Sequence, residues 1–204
     1  MPSSDKPYRL VAPAGVFAQG EVPEGLRINR EASAGRHGLL EIFSGLEETA
    51  PFRRYPGDRE RILALAKSTW IRLVDEPGWM YIAPWEVSAE LADDRATVVT
   101  SSDDEIVIAR PYLTTGSDMD LYLDALHESL HILQRRCGRE LWPGPDVPYV
   151  DRPTEVEAYA FSVAEARRVG ASELYLREYL RRDWIPHPDF LRLLDHVGVA
   201  PPLD

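Results

Sequence analysis

The sequence predicts an α+β fold, mainly helical, with a small sheet in which antiparallel pairing dominates. Three observations carry that expectation. Apolar residues recur at spacings of three and four in several long stretches, most clearly over residues 117–138. Between residues 79 and 110 the pattern changes to short runs of Val, Ile, Thr and aromatic side chains, which suit pleated, half-buried strands. Proline and glycine separate these runs at Pro51, Pro56-Gly57, Pro77-Gly78 and Pro143-Gly144-Pro145.

Taken in order, residues 1–35 are rich in Pro, Gly and Ala and read as an irregular N-terminal arm, ahead of a single domain over 36–204. Leu39, Leu40, Ile42, Phe43 and Leu46 predict a short amphipathic helix from Arg36 to Glu48, closed by Pro51. Asp58 is placed to cap a second helix, whose apolar positions Ile62, Leu63, Leu65, Ala66, Trp70, Leu73 and Val74 run to the stop at Pro77-Gly78. Trp79–Ala83, Ala96–Thr100 and Glu105–Arg110 are the strand candidates, the last two forming a hairpin about the turn Ser101-Ser102-Asp103-Asp104. Ser117 caps the helix that follows and Gly138 ends it. On this helix Leu123, Leu126, Leu130, Leu133 and Cys137 form a core-facing stripe. A proline-rich loop over 141–150, a helix starting near Arg152, a Ser172-capped helix to Leu180 and a last helix from Asp189 to Val197 complete the chain.

Composition narrows the function. The chain has 204 residues, 44% of them hydrophobic, enough for a real core. A formal charge of -11 argues against a nucleic-acid partner held through phosphates. No stretch reaches the apolar length of a membrane span, and MPSSDKPYRL lacks the hydrophobic centre of a signal peptide. With Cys137 as the one cysteine, no internal disulfide can form, and a cytoplasmic location is expected.

Chemistry is concentrated in His127-Glu128-Ser129-Leu130-His131, an HExxH pattern. Helical residues four apart differ by about 40° in direction, so His127 and His131 can converge on one ion. Glu128 points about 60° from His131, oblique for a ligand but close enough to act on a water at an open position. That set of groups is the division of labour of a zinc hydrolase. The bland alternative is a helix whose polar edge happens to spell HESLH.

Zinc needs a third ligand, and Glu155 and Glu157 at the start of the next helix are the candidates. They lie about 160° apart around a helix, so at most one faces the ion. Thr154 and Glu157 have the form of a capping box, which would occupy Glu157 and leave Glu155 free. If instead Pro153 is the first helical residue, the cap moves to Arg152 and Glu155 takes the third position. Glu155 is the preferred ligand and Glu157 the alternative. Tyr149 and Tyr159 are the two phenols able to polarise a carbonyl or stabilise an oxyanion. His37, His187 and His196 are left out as lone histidines.

HExxH followed by a helix carrying Glu155-Val156-Glu157-Ala158 resembles the gluzincin zinc metallopeptidases over residues 117–165. Small intracellular peptidases of the ImmA-like and HtpX-like kinds share this layout. The resemblance implies Zn2+ held by two His and a downstream Glu, hydrolysis of a peptide or amide bond with Glu128 as general base, and a peptide or protein substrate. It also implies a gluzincin-like (zincin) catalytic domain, in which the strand nearest the site binds an extended chain by edge pairing; residues 105–110 are the candidate for that edge. Two positions depart from the pattern. Tyr159 stands four residues after Glu155, where many gluzincins carry Asp or Asn, and Leu130 stands where Gly is common before the second His. A donor or acceptor for a ligand imidazole must then come from elsewhere. The alternatives are a zinc-binding regulatory or interaction protein, and a zinc hydrolase of a small-molecule amide.

Overall fold

A computed structural model describes residues 19–54, 59–78, 80–82, 104–144 and 146–202. The chain is of mixed α+β character. It divides into two compact units, Glu24–Thr115 and a second made of Met1–Pro23 with Gly116–Asp204.

In the unit Glu24–Thr115, strands β1 (Arg27–Ile28), β2 (Gly35–Gly38), β3 (Phe43–Ser44), β4 (Trp70–Val74), β5 (Met80–Ile82) and β6 (Glu105–Ala109) alternate with short helices. The helices are α1 (Leu39–Ile42), α2 (Ala50–Arg54), α3 (Arg59–Ser68) and α4 (Arg110–Thr115). The strands form an antiparallel pair β1-β3 and a four-stranded sheet ordered β2-β4-β6-β5. In the larger sheet β2 is antiparallel to β4, β4 parallel to β6, and β5 antiparallel to β6. Every residue of β6 is buried, as its unbroken Ile106-Val107-Ile108-Ala109 run requires. Glu105, which opens β6, is buried too, and its carboxylate accepts from Arg72 Nε at 2.9 Å and pairs with Arg36. Because β6 is paired on both sides, it is not the free edge expected of residues 105–110.

Two further expectations need correction in this unit. The helix predicted from Arg36 to Glu48 is a strand, one helical turn, another strand and a 3-10 turn over Leu46–Glu48. Its apolar positions Leu39, Ile42, Phe43 and Leu46 are fully buried, so the core pattern was read rightly while the backbone was not. Gly45 is the reason for the break: its φ is +83°, and a Cβ there would lie 2.5 Å from the Gly25 carbonyl oxygen. Pro51 does not end a helix; it sits in the first turn of α2, where its missing N–H costs nothing. The second expected helix stops at Ser68, and Trp70–Val74 is strand β4. Ser68 Oγ donates to the Ala64 carbonyl at 2.7 Å and Thr69 Oγ1 to that of Leu65 at 2.8 Å, taking up the last helical acceptors. Ile71 and Leu73 are then buried and Arg72 and Val74 partly exposed, the period of two that Trp70, Leu73 and Val74 had disguised as helical spacing. Asp58 and residues 83–103, including the strand expected at Ala96–Thr100, lie outside the described residues.

In the second unit, α5 (Asp118–Arg136) is followed by α6 (Pro153–Arg168), α7 (Glu173–Leu180) and α8 (His187–His196). Ser117 caps α5, its Oγ accepting from Asp120 N, and Gly138 follows the helix at φ +75°. Every residue of α5 from Met119 to Ile132 is buried. The helix is therefore encased on all sides, beyond the single core-facing stripe that the spacing predicts. Cys137, expected in that stripe, is exposed, because it falls just past the end of the helix.

An encased helix that carries charge must find partners for it. Phenols and carboxylates pair between the helices: Tyr122 OH of α5 donates to Glu165 Oε1 of α6 at 2.6 Å, while from α7 Tyr175 OH donates to Asp120 Oδ1 at 2.6 Å and Tyr179 OH to Asp124 Oδ1 at 3.0 Å. Ser162 Oγ reaches the Leu123 carbonyl and Gln134 reaches that of Thr154, so α5 and α6 run antiparallel. This pairing brings the first turn of α6 alongside the C-terminal half of α5, where both histidines stand.

Candidate metal centre

His127 and His131 lie one turn apart on α5 and Glu155 in the first turn of α6, and all three side chains are buried. Pro153 is the first residue of α6 and Arg152 its N-cap, so Thr154 forms no capping box. Glu155 takes the third helical position and faces the histidines. Glu157 is exposed on the far side, where its carboxylate accepts from Gln134 Nε2 at 2.6 Å and pairs with Arg139. The structure brings Glu155 to the histidines and keeps Glu157 away.

The donor atoms form a tight triangle. His127 Nε2 and His131 Nε2 are 2.9 Å apart, and Glu155 Oε2 lies 3.4 Å from the first and 3.3 Å from the second. Zinc bound tetrahedrally at 2.0–2.1 Å separates its ligand atoms by roughly 3.3 Å. The three atoms lie on a circle of radius about 1.9 Å, close to that bond length, so together they could hold one ion. Glu155 Oε2 is buried and faces both imidazole nitrogens, as a carboxylate oxygen sharing one cation with them would. These residues fit a metal ion, and among the described residues no other group of three or more His, Cys, Asp or Glu side chains has ligand atoms gathered in this way.

Protonation in the metal-free chain follows from burial and these contacts. Burial works against a charge on His131, but the Glu155 hydrogen bond and the charges of Glu128 and Glu155 outweigh it and raise the pKa to about 9. Burial and the charge of His131 lower that of His127. Burial opposes ionisation of Glu155, yet hydrogen bonds and charge from both imidazoles hold it well below the usual carboxylate range. A proton on His131 thus relieves two nitrogens that otherwise face each other with lone pairs.

Gln134, which the sequence reading missed, completes the surroundings. His131 Nδ1 donates to Gln134 Oε1 at 2.8 Å. It is the acceptor that the departure at Tyr159 left wanting, supplied from three residues further along the same helix. His127 Nδ1 has no partner, a buried orphan that costs on the order of 1–3 kcal/mol. Glu128 is 9% exposed, beside the ligand triangle and close enough for its charge to act on His131.

The two tyrosines singled out from sequence are brought together at the centre. Tyr159 is buried with its ring centroid 4.4 Å from that of His127, and its hydroxyl is 3.0 Å from the hydroxyl of Tyr149. Burial raises the pKa of both phenols, so both remain neutral donors at ordinary pH. Tyr149 opens a 3-10 turn over Tyr149–Asp151 and meets the exposed indole of Trp184 edge-on at 4.7 Å. The remaining histidines lie elsewhere. His37 Nε2 contacts the Ser33 carbonyl, His196 pairs with Asp151, and His187 is exposed at the start of α8.

What fold and site define is an α+β protein with a buried His-His-Glu group able to hold a metal ion. Comparison with known proteins finds no matching family model, no matching curated protein and no matching solved structure. No helix among the described residues is long and apolar enough to cross a membrane.

Proposed function

We propose that this chain is a zinc-dependent metallopeptidase of the gluzincin type, hydrolysing a peptide or amide bond. The observation that carries the reading is the triangle of His127 Nε2, His131 Nε2 and Glu155 Oε2, with sides of 2.9, 3.3 and 3.4 Å, adjoining Glu128 on the same helix. Two imidazoles and one carboxylate are a catalytic rather than a structural zinc set, since they leave a coordination position open. When bound, zinc supplies a Lewis acid that polarises a carbonyl and acidifies water.

The chain's own residues do the rest. Glu128 accepts a proton from the attacking water and returns it to the departing amine. Glu155 and Gln134 hold the imidazoles in register. The hydroxyl of Tyr149, a neutral phenol on a half-buried side chain 3.0 Å from the Tyr159 hydroxyl, would hydrogen-bond the developing oxyanion. Acting on a peptide requires a path for an extended chain to this buried centre.

One observation favours a second reading, a zinc-binding regulatory protein without peptidase activity. Both histidines and Glu155 are 4–6% exposed, and Tyr159 packs against His127 with Tyr149 bonded to it, as in a closed site. Incubating the zinc-loaded protein with a fluorogenic peptide library separates the two. The peptidase reading expects turnover that Glu128→Gln abolishes while zinc stays bound; zinc binding with no turnover of any peptide rejects it.

A further inference from the structure

We infer that Gln134 is a positioning residue of the metal centre, the side chain that fixes the tautomer of His131 and ties it to the helix bearing Glu155. This inference rests on the metal-centre reading above. Gln134 is 3% exposed and all its polar atoms are engaged. Its Nε2 donates to the Thr154 carbonyl at 3.1 Å and to Glu157 Oε2 at 2.6 Å. Its Oε1 lies 2.8 Å from His131 Nδ1.

The amide has only one workable orientation. Turned over, its oxygen would face a carbonyl oxygen and a carboxylate, both acceptors. Oε1 must therefore face His131, and His131 Nδ1 must carry a hydrogen. That commits Nε2, the atom 3.3 Å from Glu155 Oε2, to presenting a lone pair to the ion.

The same amide spans two helices. Thr154 immediately precedes Glu155 in α6, so the bond from Nε2 to its carbonyl registers the first turn of α6 against the last turns of α5. Glu157, braced by Arg139, holds the second amide hydrogen. One side chain thus sets both the ring of one ligand and the backbone beside another. His127 Nδ1, lacking a partner, has no such support. Within the pair, His131 is the oriented ligand.

The two halves of the amide can be separated by substitution. Gln134→Met keeps the shape and removes both acceptor and donors. Gln134→Glu keeps an acceptor for His131 but loses the donors to Thr154 and Glu157. Zinc dissociation constants would be measured by chelator competition on the full chain, with thermal unfolding of the metal-free protein alongside and the visible spectrum after cobalt substitution as a check on geometry. The expected result is a loss of roughly 10- to 100-fold in zinc affinity and an altered cobalt spectrum for Gln134→Met. Gln134→Glu should keep affinity within about threefold of the parent although it unfolds at lower temperature, because only the His131 contact orients the ligand.

If Gln134→Met binds zinc as the parent does, the inference is overturned while the metal centre stands. If Gln134→Glu loses affinity as Gln134→Met does, in proportion to lost stability, Gln134 serves packing alone and the inference again fails. Should Gln134→Met not fold, Gln134→Leu, which likewise lacks an acceptor for His131 Nδ1, takes its place in the same comparison. A parent protein that binds no zinc after reconstitution removes the centre itself, an outcome distinct from either.

Discussion

Zinc affinity should depend steeply on pH between 7 and 9, with a slope that the site's geometry fixes. In the metal-free chain His131 holds its proton to about pH 9, because Glu155 and Glu128 outweigh the effect of burial. A metal ion needs that nitrogen unprotonated, so binding at pH 7 must first remove one proton. The gap of two pH units corresponds to about 2.7 kcal/mol, roughly a hundredfold in the dissociation constant. His127 and Glu155 add nothing to this slope, since both have lowered pKa values and carry no proton near neutrality. Affinity should rise about tenfold per pH unit from 7 and level off near 9, with close to one proton released per zinc. Chelator-buffered titration gives the affinities, and calorimetry in buffers of different ionisation enthalpy gives the proton count. Flat affinity over this range, or no proton release, would refute the paired His131 and Glu155 described above.

The same pair sets the stability of the metal-free protein. A raised folded-state pKa on His131 contributes stability that is complete below about pH 6.5 and lost as pH rises through about 9. Urea unfolding of stripped protein should therefore show a loss of about 2.5 kcal/mol between pH 7 and 10, and saturating zinc should abolish it. Tyr175→Phe leaves the buried Asp120 carboxylate without the phenol that donates to it at 2.6 Å, and should cost about 1.5–3 kcal/mol by denaturant unfolding with zinc content unchanged. Gly45→Ala should cost well over the ~1 kcal/mol usual for a left-handed glycine, because the new Cβ meets the Gly25 carbonyl at 2.5 Å; Gly138→Ala, at φ +75° with open space, should cost only about that amount.

How much of this was legible in the sequence varied with what each signal depends on. The helix from Ser117 was readable because its cap, its period and its terminal glycine agree, and a local rule governs each. The short helical turn at Leu39 and strand β4 were not. Leu39, Ile42, Phe43 and Leu46 satisfy helical spacing, yet Gly45 needs a positive φ that spacing cannot express. Trp70–Val74 becomes a strand through pairing with β2 and β6, which are distant in sequence. At the site, residue types and spacing selected His127, His131 and Glu155. The choice of Glu155 rested partly on a capping box at Thr154 that does not form; the Pro153 start, which counted against that choice, is the one observed, and Glu155 still lies beside both histidines. Gln134 escaped because a glutamine's role rests on which partners surround it, and those come from another helix. The encasing of α5 on every side was hidden for the same reason. Nothing in its own sequence shows that Tyr175 and Tyr179 will cover Asp120 and Asp124.

The most direct test of the metal centre is the zinc content of the purified protein by mass spectrometry, set beside His131→Ala, Glu155→Ala and Glu157→Ala. The account predicts about one zinc per chain, lost in His131→Ala and Glu155→Ala and retained in Glu157→Ala. Absence of zinc from the parent even after reconstitution, or its loss in Glu157→Ala but not in Glu155→Ala, would contradict it.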